Sequence, residues 1–364
     1  MEFEKLLLAR PLGGLNDSLV QLELCRSYAQ RFGRTLIIDT NAGNLKDDFH
    51  IYFEPLAHFG VPLRLYSADV VQDLNQIDSV RPAAVTHQLS TYKLKFIEQR
   101  YVLADKKVPV QFDMAADHKE QLLVHEQCGG GRDSFNFLQH VCLQPFLANE
   151  IVKRLLSLKL GYDAIHVRHT DYQTDYRNFL KRLAPSVRGR RVLLCTDSPQ
   201  VQEEAPALLA GCADVLMLSQ IPDTGGLPGH ELGREGAFKR NIDALTDLVA
   251  MACSRRFYFT NVSQGNISGF SMLAESLRLN PALTLSLLRN ADPLLLDRFR
   301  RDLGIAQNAI GKPVDEIRRL IADQMQWRWN RAAKHLTKRL RKKQVLIPAL
   351  RPMPRWAFWR RLQA

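Results

Sequence analysis

The sequence predicts an α/β fold with two domains, and three observations support this. The chain has 364 residues, more than a single core of ordinary size encloses. Between residues 163 and 279, short apolar stretches that favour strands alternate with helical stretches, as in parallel sheets. Residues 6–38 have the same strand, loop, helix and strand order. We therefore expect α/β domains over residues 1–145 and 146–290, and a helical basic tail over residues 291–364.

The first domain opens with a short apolar strand and a loop that ends in two adjacent glycines, the second of which is Gly14. Apolar residues at helical spacing follow, with Asn16 or Asp17 as the expected cap and Gly33 as the expected end of the helix. Glycines before a helix let its backbone amides approach an anionic ligand. A simple tight turn explains the same glycines equally well.

Polar side chains also gather where two strands of the second domain are expected to end. His166 lies in a β-prone stretch, and Arg168 and Asp171 follow it. Thr196 and Asp197 follow the next strand. Ligands collect at the carboxyl ends of parallel strands. Arg168 is the best single candidate for an anion ligand, because its planar guanidinium matches the geometry of a phosphate.

A further polar group opens the last helix of the second domain. Ser268, Phe270 and Ser271 surround a glycine at the expected start of this helix, where free backbone amides favour an anion. Each serine also suits an ordinary helix cap. Together with Arg168, these residues predict a phosphate-bearing ligand.

The region between the two domains permits two interpretations. An expected strand over residues 121–126 ends in His125 and Glu126, directly before a cysteine and three glycines. This pair either lines a cleft or forms a turn between domains. Residues 135–158 are then predicted to form one helix, broken or kinked at Pro145.

The positive charge is concentrated at one end of the chain. The net charge is +12, and twelve lysines and arginines and all four tryptophans lie after Gln326, with no acidic residue after Asp323. Tryptophan combined with Lys and Arg is typical of a segment that lies on an anionic membrane surface. A packed terminal helix with a disordered basic end, or a nucleic-acid-binding tail, are the alternatives. The folded body lacks interleaved basic and aromatic residues, so no nucleic-acid partner is expected.

Composition indicates the cellular compartment. The six cysteines show no paired spacing, which favours buried thiols in a reducing cytoplasm. No apolar run reaches the roughly 18 residues that span a bilayer. The chain has no Asp-x-Asp triplet, so neither a metal nor another cofactor is expected. We expect a cytoplasmic protein, peripheral on the inner face of the membrane.

These motifs resemble those of the fucosyltransferase superfamily, which includes α1,2-, α1,6- and protein O-fucosyltransferases and bacterial nodulation fucosyltransferases. The resemblance rests on the H-x-R-x-T-D run at residues 166–171, Thr-Asp-Ser-Pro at 196–199, Asp247 followed by Ser-Gly-Phe-Ser at 268–271, and the early glycine loop at 13–17. It extends over most of residues 5–280. It implies a GT-B-like fold, in which two Rossmann-like domains face each other across a cleft. It also implies GDP-fucose as the donor, an inverting transfer and no metal requirement.

The resemblance gives Arg168 the role of binding the donor's β-phosphate and stabilising the GDP leaving group. The donor-binding residues that it implies are Gly14, Asn16, His166, Arg168, Asp171, Thr196, Asp197, Asp247, Ser268, Phe270 and Ser271. Asp247 is expected near the guanine or ribose. Many members of the superfamily carry a second arginine where this chain has His169, which allows a weaker phosphate clamp or a different sugar nucleotide.

The acceptor hydroxyl needs a general base, and the sequence leaves its identity open. Asp17, Glu126, Asp171 and Asp175 are the candidates. The expected acceptor is a cell-envelope or lipid-linked glycan, as in polysaccharide biosynthesis, with the first domain on the acceptor side. The alternatives are a transferase for another nucleotide sugar, or a non-catalytic nucleotide- or anion-binding scaffold with a nucleic-acid-binding tail.

Overall fold

The computed structural model describes residues 4–43, 45–222, 225, 227, 232–262 and 266–308. Residues 1–307 form one compact unit. The expected domain boundaries at residues 145 and 290 stay predictions. The predicted tail is helical from Pro293 to Asn308, and its basic, Trp-containing part lies outside the described residues.

Short strands and longer helices alternate along the described chain. The strands are β1 (Leu6–Ala9), β2 (Thr35–Ile38), β3 (Phe53–Pro55), β4 (Leu63–Arg64), β5 (Val80–Arg81), β6 (Leu94–Ile97), β7 (Arg100–Leu103), β8 (Leu122–His125), β9 (Val141–Leu143), β10 (Asp163–Val167), β11 (Arg190–Thr196), β12 (Ala213–Leu216), β13 (Phe257–Phe259), β14 (Asn261–Val262) and β15 (Asn266–Ile267). The helices are α1 (Leu15–Phe32), α2 (Phe49–Tyr52), α3 (Ala68–Leu74), α4 (Asp133–Leu138), α5 (Pro145–Leu158), α6 (Tyr176–Leu183), α7 (Pro199–Leu208), α8 (Ala237–Ala252), α9 (Gly269–Arg278), α10 (Pro281–Leu287) and α11 (Pro293–Asn308).

Two parallel sheets organise these elements. The first has the strand order β4-β2-β1-β8-β5, and the second has the order β12-β11-β10-β13. All pairings within both sheets are parallel. In the second sheet, His166 of β10 lies opposite Cys195 of β11 and Phe259 of β13. The expected α/β fold with parallel sheets is confirmed.

The central strands β1, β8 and β10 are buried on both faces, and successive side chains along each strand point to opposite faces of the sheet. In β1, Leu7 and Ala9 lie in an inner core, whereas Leu6 and Leu8 lie in an outer one. In β10, Ala164 joins the same inner core, while Ile165 and Val167 belong to a third cluster. Residues of α1, α5, α8 and α9 complete the inner core. The two sheets therefore share one core, which holds their edges in a fixed relation.

Helix α1 starts differently from the prediction. Its N-cap is Gly14, in an extended conformation without a side-chain cap, so Asn16 and Asp17 lie inside the first turn. The expectation that one of them caps the helix was wrong. Gly33 ends the helix at φ 62°, as predicted, because this left-handed conformation suits glycine.

The single helix expected over residues 135–158 was also wrong. Helix α4 ends at Leu138, strand β9 follows, and α5 starts at Pro145. Proline suits the first turn of a helix, where its missing N–H needs no partner. Strand β9 forms because Val141–Leu143 pairs antiparallel with Phe53–Pro55, far away in the sequence. This long-range pairing has no local signal.

The remaining general expectations concern thiols and membrane spans. All six cysteines carry free thiols, and Cys25, Cys142, Cys195 and Cys253 are buried, as predicted. Burial raises the pKa of the Cys253 thiol to about 12, which keeps it protonated. Within the described residues, every helix is too short or too polar to cross a bilayer.

Candidate functional site

A cavity of about 1150 Å³ lies between the carboxyl ends of the strands of the second sheet and the N-terminus of α1. His166 and Thr196 line it from the strand ends, and Asn16 lines it from α1. The first turn of α9 and one side of α8 complete the wall. The cavity therefore lies at the carboxyl ends of parallel strands, the usual ligand position in such sheets.

Most of the predicted site residues line this cavity. These are Gly14, Asn16, Asp17, His166, Arg168, Asp171, Thr196, Asp197, Asp247, Ser268 and Phe270. Glu126 and Ser271 are not among its lining residues. Residues more than 250 positions apart in sequence thus share one site, although the geometry alone leaves their individual roles as predictions.

Arg168 follows β10 and is held by two carboxylates. Its Nε lies 2.8 Å from Oδ1 of Asp171, and its Nη1 lies 3.0 Å from Oδ2 of Asp197. Burial lowers the pKa of Arg168, but Asp197 and Asp171 outweigh that effect and raise it overall. A guanidinium has five N–H donors, so donors remain for an anion in the cavity.

Asp197 also organises the loop that carries Arg168. Its Oδ1 accepts the backbone N–H of His169 at 2.8 Å, and its Oδ2 accepts the hydroxyl of Thr170 at 2.6 Å. The ring of His169 contacts Thr174 and packs edge-on against Tyr176. His169 is not a lining residue of the cavity, so its side chain stabilises the loop.

His166 lies in β10 and connects this strand to α9. Its Nδ1 lies 2.7 Å from Oγ of Ser271, and its ring is 5.5 Å from that of Phe270. Burial lowers the pKa of His166 to about 4, so the imidazole is neutral at pH 7. Ser271 acts through His166: it fixes the ring that lines the cavity.

Asp247 is a buried carboxyl on α8 that lines the cavity. Its Oδ1 accepts the hydroxyl of Ser219 at 3.0 Å. Burial raises the pKa of Asp247 to about 7, because the charged form loses its hydration. This side chain therefore changes its charge within the physiological range.

The start of α1 approaches α9 closely. The amide of Asn16 donates to the carbonyl of Gly131 at 3.3 Å and accepts the hydroxyl of Ser134 at 2.7 Å. A Cβ at Gly269 would lie 2.7 Å from Nδ2 of Asn16, so a larger residue there would collide. The carboxylate of Asp17 lies similarly close to Gly130. Glycine at these positions lets the N-termini of two helices line one cavity.

Glu126 lies outside the cavity, in a buried network behind the first sheet. Its carboxylate accepts the hydroxyl of Tyr92 and lies 3.8 Å from Nη1 of Arg10. Burial raises the pKa of Glu126. Glu126 follows Leu122 and Val124 at even spacing, and these face the outer core. His125 faces the inner side, where it contacts Gln21. Neither His125 nor Glu126 is a lining residue of this cavity.

Three lining aromatics were not predicted from the sequence. Phe96 and Tyr101 come from the β6–β7 hairpin, and Tyr172 follows the Arg168 loop. The sequence does contain a hairpin signal for Phe96 and Tyr101. Apolar residues occur at every second position before and after a two-residue turn, at Leu94 and Phe96 and at Tyr101 and Leu103.

Among the described side chains, no group of three or more His, Cys, Asp or Glu has the spacing of a metal site. The side chains that line the cavity include the cationic groups of Arg168, Lys239 and Arg240.

Parallel sheets with a polar cavity at their carboxyl edge define an α/β ligand-binding fold. Two solved fucosyltransferase structures share this fold. NodZ alpha-1,6-fucosyltransferase co-crystallized with GDP aligns with a TM-score of 0.52 at 22% identity, over 75% of this chain and 92% of that chain. Fucosyltransferase NodZ from Bradyrhizobium aligns with a TM-score of 0.53 at 20% identity, over 75% of this chain and 93% of that chain. No protein-family model and no curated protein matches the sequence.

The structural neighbours are therefore fucosyltransferases, from the superfamily that the sequence motifs resemble. Their folds are GT-B-like, and this chain shares the mixed α/β architecture with parallel sheets.

Proposed function

We propose that the chain is a glycosyltransferase that moves fucose from GDP-fucose to a glycan acceptor, with inversion and without a metal. The observation that carries this proposal is the position of Arg168, which lines one cavity together with the N-terminal residues of α1 and α9. The fold shared with fucosyltransferases and the motif resemblance support the same reaction.

The donor's diphosphate is proposed to bind between Arg168 and the two helix N-termini. The leaving GDP gains negative charge as the bond to fucose breaks, and fixed cations and backbone amides stabilise that charge. Arg168 suits this role because its guanidinium is already oriented by Asp171 and Asp197. The diphosphate would compete with Asp171, which is the more exposed of the two carboxylates.

The nucleoside is proposed to lie near Asp247 and Phe270. An ionised Asp247 accepts hydrogen bonds from the amino group and N1–H of guanine or from the ribose hydroxyls. The ring of Phe270, held beside His166, supplies an apolar surface for the nucleoside. Ser268 and Gly269 open α9 and contribute backbone N–H groups for a phosphate.

Inversion requires a single displacement at the anomeric carbon of fucose. The acceptor oxygen forms the new bond, the bond to the β-phosphate oxygen breaks, and its electron pair leaves with GDP. A base takes the proton of the acceptor hydroxyl. We assign this base to Asp17, because its side chain belongs to the first turn of α1 and lines the cavity. Glu126 lies in the buried network and Asp175 caps α6.

The acceptor is proposed to be a cell-envelope or lipid-linked glycan. The basic, Trp-containing tail after Gln326 would attach the enzyme to the cytoplasmic face of an anionic membrane. Truncation after this residue should abolish co-sedimentation with phosphatidylserine-containing vesicles and leave transfer to a soluble acceptor unchanged. Equal vesicle binding by the truncated protein would contradict the membrane role.

A second donor is favoured by one observation. His169 stands where the resembled motif often has arginine, so the chain supplies one guanidinium at this loop. Transfer of a different nucleotide sugar on the same fold is therefore the alternative function.

The test is a thermal-shift screen against GDP, UDP, CMP and dTDP and their sugars, followed by a GDP-release assay. A ligand that binds only the folded state raises its apparent stability, by about 2.7 kcal/mol at a hundred times its Kd. A shift with GDP and GDP-fucose alone is expected. A thermal shift only with a nucleotide of another base would show that the donor is not GDP-fucose. Reversible loss of activity in EDTA would refute the metal-free mechanism.

A further inference from the structure

The β6–β7 hairpin carries an aromatic pair on the wall of the cavity. Phe96 and Tyr101 are cross-strand partners, and their ring centroids lie 5.1 Å apart at an interplanar angle of 53°. Phe96 is 56% exposed. A single exposed phenylalanine is common on protein surfaces. Phe96 packs against a second ring and lines the same cavity as Arg168, so its exposed ring faces the candidate site.

The hairpin places this pair by simple alternation. Leu94 and Leu103, two residue pairs further along the hairpin, contact the outer core of the first sheet. Side chains two positions apart share a face, so Phe96 and Tyr101 extend that face beyond the core. The strand face that anchors the hairpin therefore continues as an aromatic surface at the cavity.

The surface is held rigidly. The buried side chain of Gln127 accepts the backbone N–H of Tyr101 at 2.9 Å and donates to its carbonyl at 2.7 Å. Glu98 and Gln99 form the two-residue turn with φ of 49° and 67°, which matches the twist of a tight hairpin. A ligand at this surface would meet rings that are already ordered.

The chemistry around the pair indicates what it binds. Phe96 and Tyr101 offer ring faces with negative charge density, while Asp17 and Arg168 in the same cavity offer an acceptor and donors. The cavity wall therefore combines aromatic ring faces with charged hydrogen-bonding groups. A pyranose has C–H groups on its ring face and hydroxyls at its edge, so it matches both sets at once.

We propose that Phe96 and Tyr101 form an acceptor subsite, on which a pyranose ring of the acceptor glycan stacks so that a hydroxyl reaches Asp17. This inference rests on the proposed function, since it places the acceptor beside the donor. Tyr172, which lines the cavity from the Arg168 loop and is 40% exposed, supplies a third aromatic surface for the chain of sugars.

The binding test uses an array of α- and β-linked tetrasaccharides of glucose, N-acetylglucosamine, galactose and mannose, probed with full-length protein in the presence of GDP. For any tetrasaccharide that binds, Phe96→Ala should weaken binding about tenfold, the usual consequence of removing one aromatic anchor. Phe96→Leu should weaken it similarly, because leucine keeps apolar volume without a ring face. Phe96→Tyr should retain affinity.

The matched control is Phe146→Ala. Phe146 is 45% exposed, lies on α5 and is not a lining residue of the cavity, so its removal should leave binding unchanged. Equal loss in both variants, or retained affinity in Phe96→Ala, would overturn the subsite. The subsite would also be refuted if the wild-type protein bound none of the tetrasaccharides.

A separate measurement distinguishes this inference from the proposed function. Phe96→Ala should leave the thermal shift by GDP-fucose unchanged and raise KM for the glycan but not for the donor. Ring-dependent glycan binding without any response to GDP-fucose would retain the subsite and reject the fucosyl donor. A parallel loss of donor binding in Phe96→Ala would show that the hairpin only supports the fold, and would reject the subsite.

Discussion

The two sheets carry the same ion pair at equivalent positions. Arg10 follows β1 and pairs with Asp39, which follows the neighbouring strand β2, at 2.8 Å. Arg168 follows β10 and pairs with Asp197, which follows the neighbouring strand β11, at 3.0 Å. Only the second pair lines the cavity.

The difference comes from what covers each pair. Nη1 of Arg10 donates to the carbonyl of Leu89 at 2.7 Å and to the hydroxyl of Tyr92 at 3.0 Å, so a loop of the first half encloses it. The Arg10 side chain is 9% exposed, whereas that of Arg168 is 21% exposed. The covered pair of Arg10 and Asp39 therefore stabilises the fold, whereas the pair of Arg168 and Asp197 can contact a ligand.

The largest expected effect is on activity at the open pair. Arg168→Ala should lower the transfer rate about a thousandfold, because it removes the cation that stabilises the departing diphosphate. The melting temperature should change little, since the side chain is partly exposed. The measurement is GDP release at saturating donor, and activity near that of the wild type would refute the role of Arg168.

At the covered pair, the expected effect is on stability. Arg10→Ala should lower the free energy of unfolding by about 3 kcal/mol, because Asp39 and Glu126 would keep buried charge without their cation. Urea denaturation measures this change. If Arg168→Ala destabilised the protein as much as Arg10→Ala, the contrast between the two edges would be wrong.

Substitution of Asp17 tests whether its carboxylate accepts the proton of the acceptor hydroxyl. Asp17→Asn should lower kcat about a hundredfold with little change in donor affinity, because the amide cannot take the proton of the acceptor hydroxyl. Asp175→Asn is the control, since Asp175 caps α6 through Asn178 and should affect stability alone. A larger kcat loss in the control variant would reassign the base.

The pH dependence of donor affinity tests whether Asp247, a buried carboxyl that lines the cavity, contacts the donor. Burial raises the pKa of both Asp247 and Glu126, but only Asp247 lines the cavity. The affinity for GDP-fucose should rise about tenfold as the pH increases through about 7, because ionised Asp247 accepts hydrogen bonds more strongly. Calorimetry between pH 5.5 and 8.5, a range of about 1.5 units on either side of that pKa, measures the effect.

Two variants sharpen this measurement. Asp247→Asn should remove the pH dependence, and Glu126→Gln should retain it. GDP-fucose is the appropriate ligand, because its diphosphate has no terminal monoester proton that titrates near pH 6. An affinity that falls as the pH rises would contradict the acceptor role of Asp247.

Much of the site was visible in the sequence because it follows strand ends. His166, Arg168, Thr196 and Asp197 were assigned from short apolar runs followed by polar residues, and all four line the cavity. Their proximity follows from parallel pairing, which brings successive strand ends to one edge. Glu126 met the same criterion but lies elsewhere, because it follows Val124 by two positions and shares the face of β8 that points to the outer core.

The sequence by itself determined the alternation of strands and helices over residues 6–38 and 163–279 and the polar residues at the strand ends there, since these depend on local apolar periodicity. Tertiary structure decided that Tyr92 covers Arg10 from 82 positions away, that β9 pairs with β3, and that Phe96 and Tyr101 reach the cavity. Local patterns fix which groups a strand end presents. Contacts between distant segments fix whether those groups are covered, because they form only when the chain is folded.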